Sequence, residues 1–279
     1  MRPTPTGPAE AETGSGIPRD SLYRLPEGVL RATRTWPLER DALRLLHVLI
    51  CRACRDWRQG TDPQPPEGYG EAFRDIHGWQ GTRPNRGNGR ILAAMAQLRA
   101  TGAFEEIEAR HGNRALHWRF TNQVYVAFFC DDVFGYLDIR ILPHLRDALT
   151  LRLLGEIALA HGMERPVLEL DVEDLHRMGG LAGPVCWKTV RRSFLSTLQT
   201  VGALHGLRII LCLSCEDRHA GIDLLHIRVE HARTNWSTSA LGRLKPSVRE
   251  VIVMDRAGER RMRPDALPAC LRGRRRMPA

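Results

Sequence analysis

The sequence predicts an α+β, helix-rich protein in which one order of three helices and two strands occurs twice. Apolar residues recur at helical spacing in two separate parts of the chain, and each part ends in two extended runs joined by a polar turn. The segment Leu98–Phe104 also resembles Leu198–Leu204 at an offset of 100 residues, with Gly-Ala at the same place in both. A repeat of this kind predicts duplication of one folding unit.

The first predicted domain spans residues 21–130 and follows a disordered tail over residues 1–20. Its three helices are predicted from apolar periodicity and from the glycines and prolines between them, over residues 38–57, 71–79 and 89–101. Two strands follow over 104–110 and 114–120, with the turn His111-Gly112-Asn113 between them. The apolar run 124–129 is predicted to be a further extended segment.

The second predicted domain spans residues 145–232, and a linker over 131–144 joins it to the first. Its elements are a helix over 145–161, a strand over 167–170, helices over 171–178 and 187–201, and strands over 207–215 and 222–229. Asp171 is a suitable N-cap, and Gly202 is predicted to end the third helix as Gly102 ends its counterpart. This order is that of a winged helix, so the sequence predicts two tandem winged-helix domains, each a helix-turn-helix followed by a β-wing.

Residues 233–279 are predicted to form a C-terminal extension that ends in a basic, flexible tail. The run Val248–Met254 fits a strand or a short helix. The chain then becomes rich in arginine and proline and ends in Arg272-Gly-Arg274-Arg275-Arg276. Such runs are usually solvated and add non-specific affinity for a polyanion.

The composition favours a polyanionic partner inside the cell. The formal net charge is +9, and all but two of the 41 basic residues, Lys188 and Lys245, are arginines. The net charge favours nucleic acid through counterion release, whereas the scarcity of lysine reflects coding bias in a GC-rich genome. Seven cysteines without a dense framework fit reduced thiols. Because no apolar stretch is long enough to span a membrane and no secretory signal opens the chain, we expect a cytoplasmic protein.

The predicted helix over 187–201 has the character of a DNA-recognition helix. Its apolar stripe, which would hold it on the core, consists of Val190, Phe194, Leu198 and Val201. Its opposite face has basic and hydrogen-bonding residues without an acidic one, and the candidate DNA contacts there are Lys188, Thr189, Arg191, Arg192, Ser193, Ser196 and Gln199. Such side chains can bind base edges and phosphates. The alternative is an ordinary solvated face, although solvated faces usually mix glutamate with lysine and arginine.

Further candidate DNA contacts lie outside this helix. Arg218 is placed at the tip of the second wing, from which it could reach the minor groove or the backbone. In the first domain, Arg83 and Arg86 precede the third helix and Arg90 lies on it. These arginines fit phosphate contact, and dimer packing is an equally good role for the first domain.

No pattern in the sequence indicates catalysis or cofactor binding. There is no P-loop, and there is no paired-histidine motif of the kind that a metal-dependent nicking enzyme needs. Cys51-x-x-Cys54 and Cys212-x-x-Cys215 have the spacing of half zinc sites, but the first pair lies in a predicted helix and the second in a predicted strand. We therefore expect core cysteines, no metal, no cofactor and no enzymatic activity.

Two winged helices in tandem, a basic surface, a basic tail and no catalytic motif resemble the plasmid replication initiators of the Rep3 type, over residues 38–229. The resemblance implies a plasmid- or nucleoid-associated protein that binds directly repeated origin sequences (iterons), dimerises through its first domain, and recruits the host initiator, helicase and primase. By position, the family's major-groove helix falls on Lys188, Thr189, Arg191, Arg192, Ser193 and Ser196.

Two other functions fit the same domains. A winged-helix transcriptional regulator would bind a single palindromic or paired operator. A winged-helix scaffold or interaction protein would bind DNA weakly and without regard to sequence. The DNA beside the gene separates these two functions from replication initiation, because tandem direct repeats next to an AT-rich stretch indicate an initiator.

Overall fold

The computed structural model describes residues 22–58, 64, 67–80, 88–129, 133–163, 167–180, 186–215, 222–231, 247–255 and 258–263. Several predicted features lie outside these ranges: the tail over 1–20, the turn with Arg83 and Arg86, the wing tip with Arg218, and the basic segment after residue 263. In the part of the chain that is described, no helix combines the length and the apolarity needed to cross a membrane.

The first half of the chain contains a three-helix unit followed by a hairpin, as predicted. Its elements are β1 (Leu22–Pro26), α1 (Glu27–Thr35), α2 (Arg40–Arg58), β2 (Tyr69–Ala72), α3 (Phe73–Gln80), α4 (Gly89–Ala100), β3 (Phe104–Arg110), β4 (Ala115–Phe120) and α5 (Asn122–Phe129). Strands β2, β4 and β3 form an antiparallel sheet in that order. The predicted turn between β3 and β4 is left-handed at three successive residues, with φ of 53° at His111, 62° at Gly112 and 61° at Asn113.

The second half repeats the order of three helices and a hairpin. Its elements are β5 (Phe134–Asp138), a 3-10 helix (Ile139–His144), α6 (Ala148–His161), β6 (Val167–Asp171), α7 (Val172–Gly179), α8 (Trp187–His205), β7 (Leu207–Ser214), β8 (Leu224–His231), β9 (Val248–Asp255) and β10 (Gly258–Met262). Asp171 caps α7 as predicted, because its side chain accepts a hydrogen bond from the Asp174 amide. The α+β prediction is confirmed, and both halves have the winged-helix order of elements.

The apolar run 124–129 is helical, which corrects the prediction of an extended segment. Thr121 starts this helix, α5, because its hydroxyl accepts from the Val124 amide at 3.3 Å and its carbonyl accepts from the Tyr125 amide at 2.9 Å. A short apolar run has no period that separates strand from helix, so the sequence alone did not decide this element.

Helix α8 ends at Gly206, four residues after the predicted Gly202. Gly206 has a φ of 62°, the left-handed conformation that ends many helices, and Gly102 has the same role after α4 with a φ of 71°. Gly202 is a buried helical residue, and a Cβ atom there would lie 3.2 Å from Cδ1 of Ile209. Its small size therefore serves the close approach of α8 to β7.

The segment expected to be a linker contains β5 and the 3-10 helix, and it packs into the molecule. Strand β5 pairs with β1 from the start of the chain, so the segment joins both halves. One hydrophobic core runs through both halves and includes Leu46 and Trp118 from the first and Leu153 and Phe194 from the second. The halves thus bury their apolar faces against each other as well as internally.

The C-terminal extension adds two strands to the sheet of the second half. The run that fitted a strand or a short helix is strand β9, which pairs antiparallel with β7, and β10 pairs with β9. The resulting five-stranded sheet has the order β10-β9-β7-β8-β6. The hairpin β9–β10 therefore lies along the edge of β7 that a two-stranded wing would leave open.

Candidate nucleic-acid interface

Helix α8 is held on the protein by the apolar stripe that its sequence predicts. Val190, Phe194, Leu198 and Val201 are all fully buried. Trp187 and Leu195 add to the same contact, and the ring of Trp187 meets that of Phe194 edge to face. Burial of this stripe fixes which face of α8 points outward.

The outward face of α8 holds the predicted set of polar side chains. Those of the set that are exposed are Lys188, Thr189, Arg192, Ser193, Ser196 and Gln199. Thr200, which directly follows Gln199, is exposed as well. The helix contains no aspartate or glutamate, so every charge on this face is positive. Hydroxyl, amide and guanidinium groups at this density can donate to phosphate oxygens and to base edges.

Arg191 differs from the rest of the predicted set because it is paired. Its Nη2 lies 3.6 Å from Oε1 of Glu250 in β9, and both side chains are about one-third exposed. No sequence pattern indicated this partner, because Glu250 lies on a strand 59 residues further along the chain. Arg191 is thus oriented by the C-terminal hairpin.

A polar cleft of about 400 Å³ separates α8 from the start of α6. Its walls are Ser193, Ser196, Thr197 and Thr200 of α8 together with His144, Arg146, Asp147 and Thr150. The Asp147 carboxylate caps α6 by accepting from the Thr150 amide at 2.7 Å. The hydroxyls of Thr150 and Thr197 lie 3.1 Å apart in the buried floor, so the two helices are joined there by a hydrogen bond.

His144 and Arg146 are two exposed residues beside α8 that sequence reasoning missed. Both line the cleft opposite Ser193 and Ser196. They precede the N-terminus of α6, whose dipole also favours an anion. The available signal was their position just before the Asp147 N-cap. His144 was assigned to the expected linker and Arg146 to the predicted helix over 145–161, and neither assignment gave a reason to place the residue beside α8.

The equivalent helix of the first half has a poorer outward face. Arg90 is exposed on α4, with Nε 3.8 Å from Oδ2 of Asp41. The other exposed residues of α4 are chiefly alanines, and Arg99 donates to the Ile107 carbonyl at 2.5 Å. Of the three candidate arginines of this half, the structure describes Arg90 alone, and it lies on the expected helix.

One group of side chains on the first hairpin has metal-ligand character. Ligand atoms of Glu106, Glu108 and His117 all lie within 4.8 Å of one another. Arg110 already binds both carboxylates, at 2.6 Å for Glu106 and as a direct ion pair with Glu108. Its hydrogen bond lowers the pKa of Glu108. A cation would have to displace this guanidinium, so the group fits an ion-pair network better than a metal centre.

The cysteine pairs lie in the protein interior. Cys51 and Cys54 face the core from α2, and Cys212 and Cys215 are buried at β7. Burial raises the pKa of the Cys212 thiol to about 11, which keeps it protonated at neutral pH. These positions agree with the expectation of core cysteines.

Fold and helix together define an α+β protein whose two halves have the winged-helix order and whose α8 exposes a basic face. No family model matches the chain, and no curated protein matches it either. Among solved structures, the chain is similar to the Pi initiator protein in complex with iteron DNA. The TM-score is 0.53 at 11% sequence identity, and the match covers 78% of this chain and 100% of that one. At this identity the similarity establishes the fold.

Proposed function

We propose that this protein binds a specific sequence in duplex DNA through α8 and initiates plasmid replication at direct repeats. The observation that carries the proposal is the exposed face of α8, on which basic and hydroxyl side chains surround Arg192 without an acidic residue. A solved structure of similar fold, the Pi initiator protein, contains iteron DNA. This likeness supports the choice of a replication initiator over other DNA-binding proteins.

In the proposed complex α8 lies in the major groove. Arg192 is the best candidate for bidentate contact with guanine, and Ser196 and Gln199 suit single contacts with base edges. His144 and Arg146 suit the phosphates that border the groove, because they lie across the cleft from Ser193. The separation of roles predicts that α8 provides specificity, whereas the cleft residues provide affinity.

The proposed role is binding and assembly, with no catalytic step in this chain. Origin DNA opening and unwinding would then require the host initiator, helicase and primase as partners. The protein would also exist as a homodimer in at least one state, and the first half would form the dimer contact. These parts of the proposal follow from the resemblance to Rep3 initiators.

The test is selection of binding sites from a random duplex library, followed by affinity measurements on the selected and on scrambled sequences. We expect the wild-type protein to prefer the selected site by about 10³ or more. Arg192→Ala should reduce this preference by about tenfold or more, since a bidentate base contact is worth about 1–3 kcal/mol. Arg31→Ala, which removes an exposed arginine from α1, is the control and should leave the preference unchanged.

The arrangement of selected sites near the gene separates the possible functions. Tandem direct repeats beside an AT-rich stretch support the initiator. A lone palindrome would instead make the protein a transcriptional regulator. Binding without sequence preference would overturn recognition by α8, and weak binding of this kind would leave the scaffold role.

A further inference from the structure

The outward face of α8 lies between two different borders. Successive residues of a helix are rotated by about 100°, so Arg191 and Ser193 lie on opposite sides of Arg192. Ser193 lines the polar cleft beside α6, whose rim carries the exposed Arg146. Arg191 approaches strand β9 on the other side, and the side chain that meets it there is the carboxylate of Glu250.

Strand register places Glu250 on the side of the sheet that α8 covers. Glu250 lies opposite Leu213 of β7, and it precedes Ile252 by two residues. Alternate residues of a strand share a face, and Leu213 and Ile252 both belong to the hydrophobic core that includes the buried stripe of α8. The carboxylate is therefore held beside α8 by a paired strand.

The contact between Glu250 and Arg191 is an ion pair without a hydrogen bond. Oε1 of Glu250 lies 3.6 Å from Nη2 of Arg191, which is longer than a hydrogen bond. This Nη2 atom is itself buried and has no hydrogen-bond partner among the described residues. About a third of each side chain is exposed. Charge thus turns Arg191 toward β9 at the edge of the outward face.

Glu250 has a second arginine neighbour, which does not depend on it. Nε of Arg261 lies 3.9 Å from the same Oε1, but Arg261 also pairs with Glu259 at 3.0 Å. Without the charge of Glu250, Arg261 would keep Glu259, whereas Arg191 would lose the one ion-pair partner that it has within the described part of the chain. A substitution at position 250 therefore acts mainly on Arg191.

An unpaired arginine at this border would bind the phosphates of any DNA. Phosphate contacts add affinity without sequence information. On a selected site the base contacts hold α8 in one position, whereas on other DNA α8 is free to shift until an unpaired guanidinium meets a phosphate. Release of Arg191 would therefore strengthen non-specific binding more than specific binding. Glu250 opposes this release and also repels phosphates within a Debye length, about 8 Å at physiological salt.

We propose that Glu250 is a specificity-determining residue, which keeps Arg191 from binding DNA phosphates and so lowers the affinity of the protein for DNA of unrelated sequence. The inference rests on the proposed function of α8. It removes Arg191 from the set of DNA contacts and leaves Arg192 within that set. Glu250 acts through Arg191, so it is a positioning residue.

The test measures the affinity of the full-length protein and of its Glu250→Gln variant for a scrambled duplex and for the selected site over a range of salt concentrations. Release of Arg191 should steepen the slope of log K against log salt on the scrambled duplex by about 0.9, the value for one phosphate contact. Between 1 M and 0.15 M salt this slope amounts to about fivefold in affinity. The preference for the selected site should fall by about twofold or more. An unchanged slope, or an unchanged preference, would overturn the proposal.

Arg191→Gln, alone and combined with Glu250→Gln, shows whether the effect passes through Arg191. Because the ion pair keeps Arg191 away from phosphates, Arg191→Gln alone should leave the slope on the scrambled duplex as in the wild type. Addition of Glu250→Gln to this variant should then have little effect. A gain in affinity of equal size with and without Arg191 would indicate simple repulsion of phosphates by Glu250 and would contradict the proposal.

The matched control is Glu27→Gln on α1, where Glu27 pairs with Arg31 at 2.6 Å and has a side-chain exposure of 27%. This variant removes the same charge from an arginine pair outside α8 and β9, and its slope should equal that of the wild type. An equal change of slope in the control would reveal an effect of net charge alone and would count against Glu250. Failure of the wild-type protein to prefer any sequence would instead overturn recognition by α8, and the slope on the scrambled duplex would still test the release of Arg191.

Discussion

At the residue scale, burial in the protein interior changes the protonation of polar side chains. His47 lies fully buried on α2, and its Nδ1 forms a hydrogen bond with the Tyr23 hydroxyl of β1. Burial lowers the pKa of His47 from its ordinary value to about 4. The imidazole is therefore neutral in the folded protein over the range where an exposed histidine gains a proton.

This shift predicts a loss of stability in mild acid. The unfolded chain takes up a proton at His47 near pH 6.5, whereas the folded chain does so near pH 4. The contribution of neutral His47 to the free energy of unfolding is therefore complete above pH 6.5, and it is lost as the pH falls from 6.5 to about 4. Lowering the pH from 7.5 to 5 should reduce the free energy of unfolding by about 2 kcal/mol through this residue. Urea denaturation of wild type and His47→Gln at both pH values measures it. Equal pH dependence in the two proteins would contradict the assignment.

The same scale shows a limit of the sequence prediction for the candidate site. The polar face of α8 was predictable because all its residues lie on one helix and follow one period. Glu250, His144 and Arg146 were not, because they reach α8 from a distant strand and from the segment before α6. Periodicity describes a single element, and it contains no information about which side chains a fold brings to that element.

At the scale of elements, helix ends were harder to predict than helices. Two glycines lie within reach of the end of α8, and the sequence pattern favoured Gly202 because of its alignment with Gly102. The left-handed conformation belongs to Gly206, whose amide caps the helix by donating to the Gly202 and Ala203 carbonyls. Close packing also requires glycine at 202, so both functions of glycine occur within five residues.

The two functions can be separated by substitution. Gly206→Ala should lower the free energy of unfolding by about 1–2 kcal/mol, because alanine is strained in the left-handed region. Gly206→Asn should recover part of this loss, since asparagine tolerates that conformation. Chemical denaturation of the two variants beside the wild type measures the difference. A smaller effect for alanine than for asparagine would show that Gly206 does not set the end of α8.

At the scale of the whole molecule, the two halves are joined by arginine side chains as well as by apolar contacts. Arg152 of α6 donates to the Thr33 carbonyl at 2.9 Å and to those of Trp36 and Leu38 at 3.0 Å. Arg34 of α1 pairs with the buried Glu156 of α6 at 2.5 Å. Arg44 of α2 donates to the carbonyls of Pro143 and Leu145.

We expect this interface to make the protein unfold as one unit. Calorimetry should give a single transition with equal calorimetric and van't Hoff enthalpies, because neither half can lose its fold without exposing the shared core. Arg152→Met should lower the free energy of unfolding by about 3 kcal/mol or more, since it leaves several buried carbonyls without a donor. Two separate transitions in the wild type would contradict a shared core.

The fused core also bears on how such a chain can change over evolutionary time. A recognition unit attached by a free linker can be exchanged for another by recombination at the linker. Here the corresponding segment contains β5 and a 3-10 helix that pack on both halves, so a crossover within it would have to supply a matching partner for β1 and for α2. Under the proposed function, new target sequences are therefore expected to arise by point substitutions on the outward face of α8, while the rest of the fold stays unchanged.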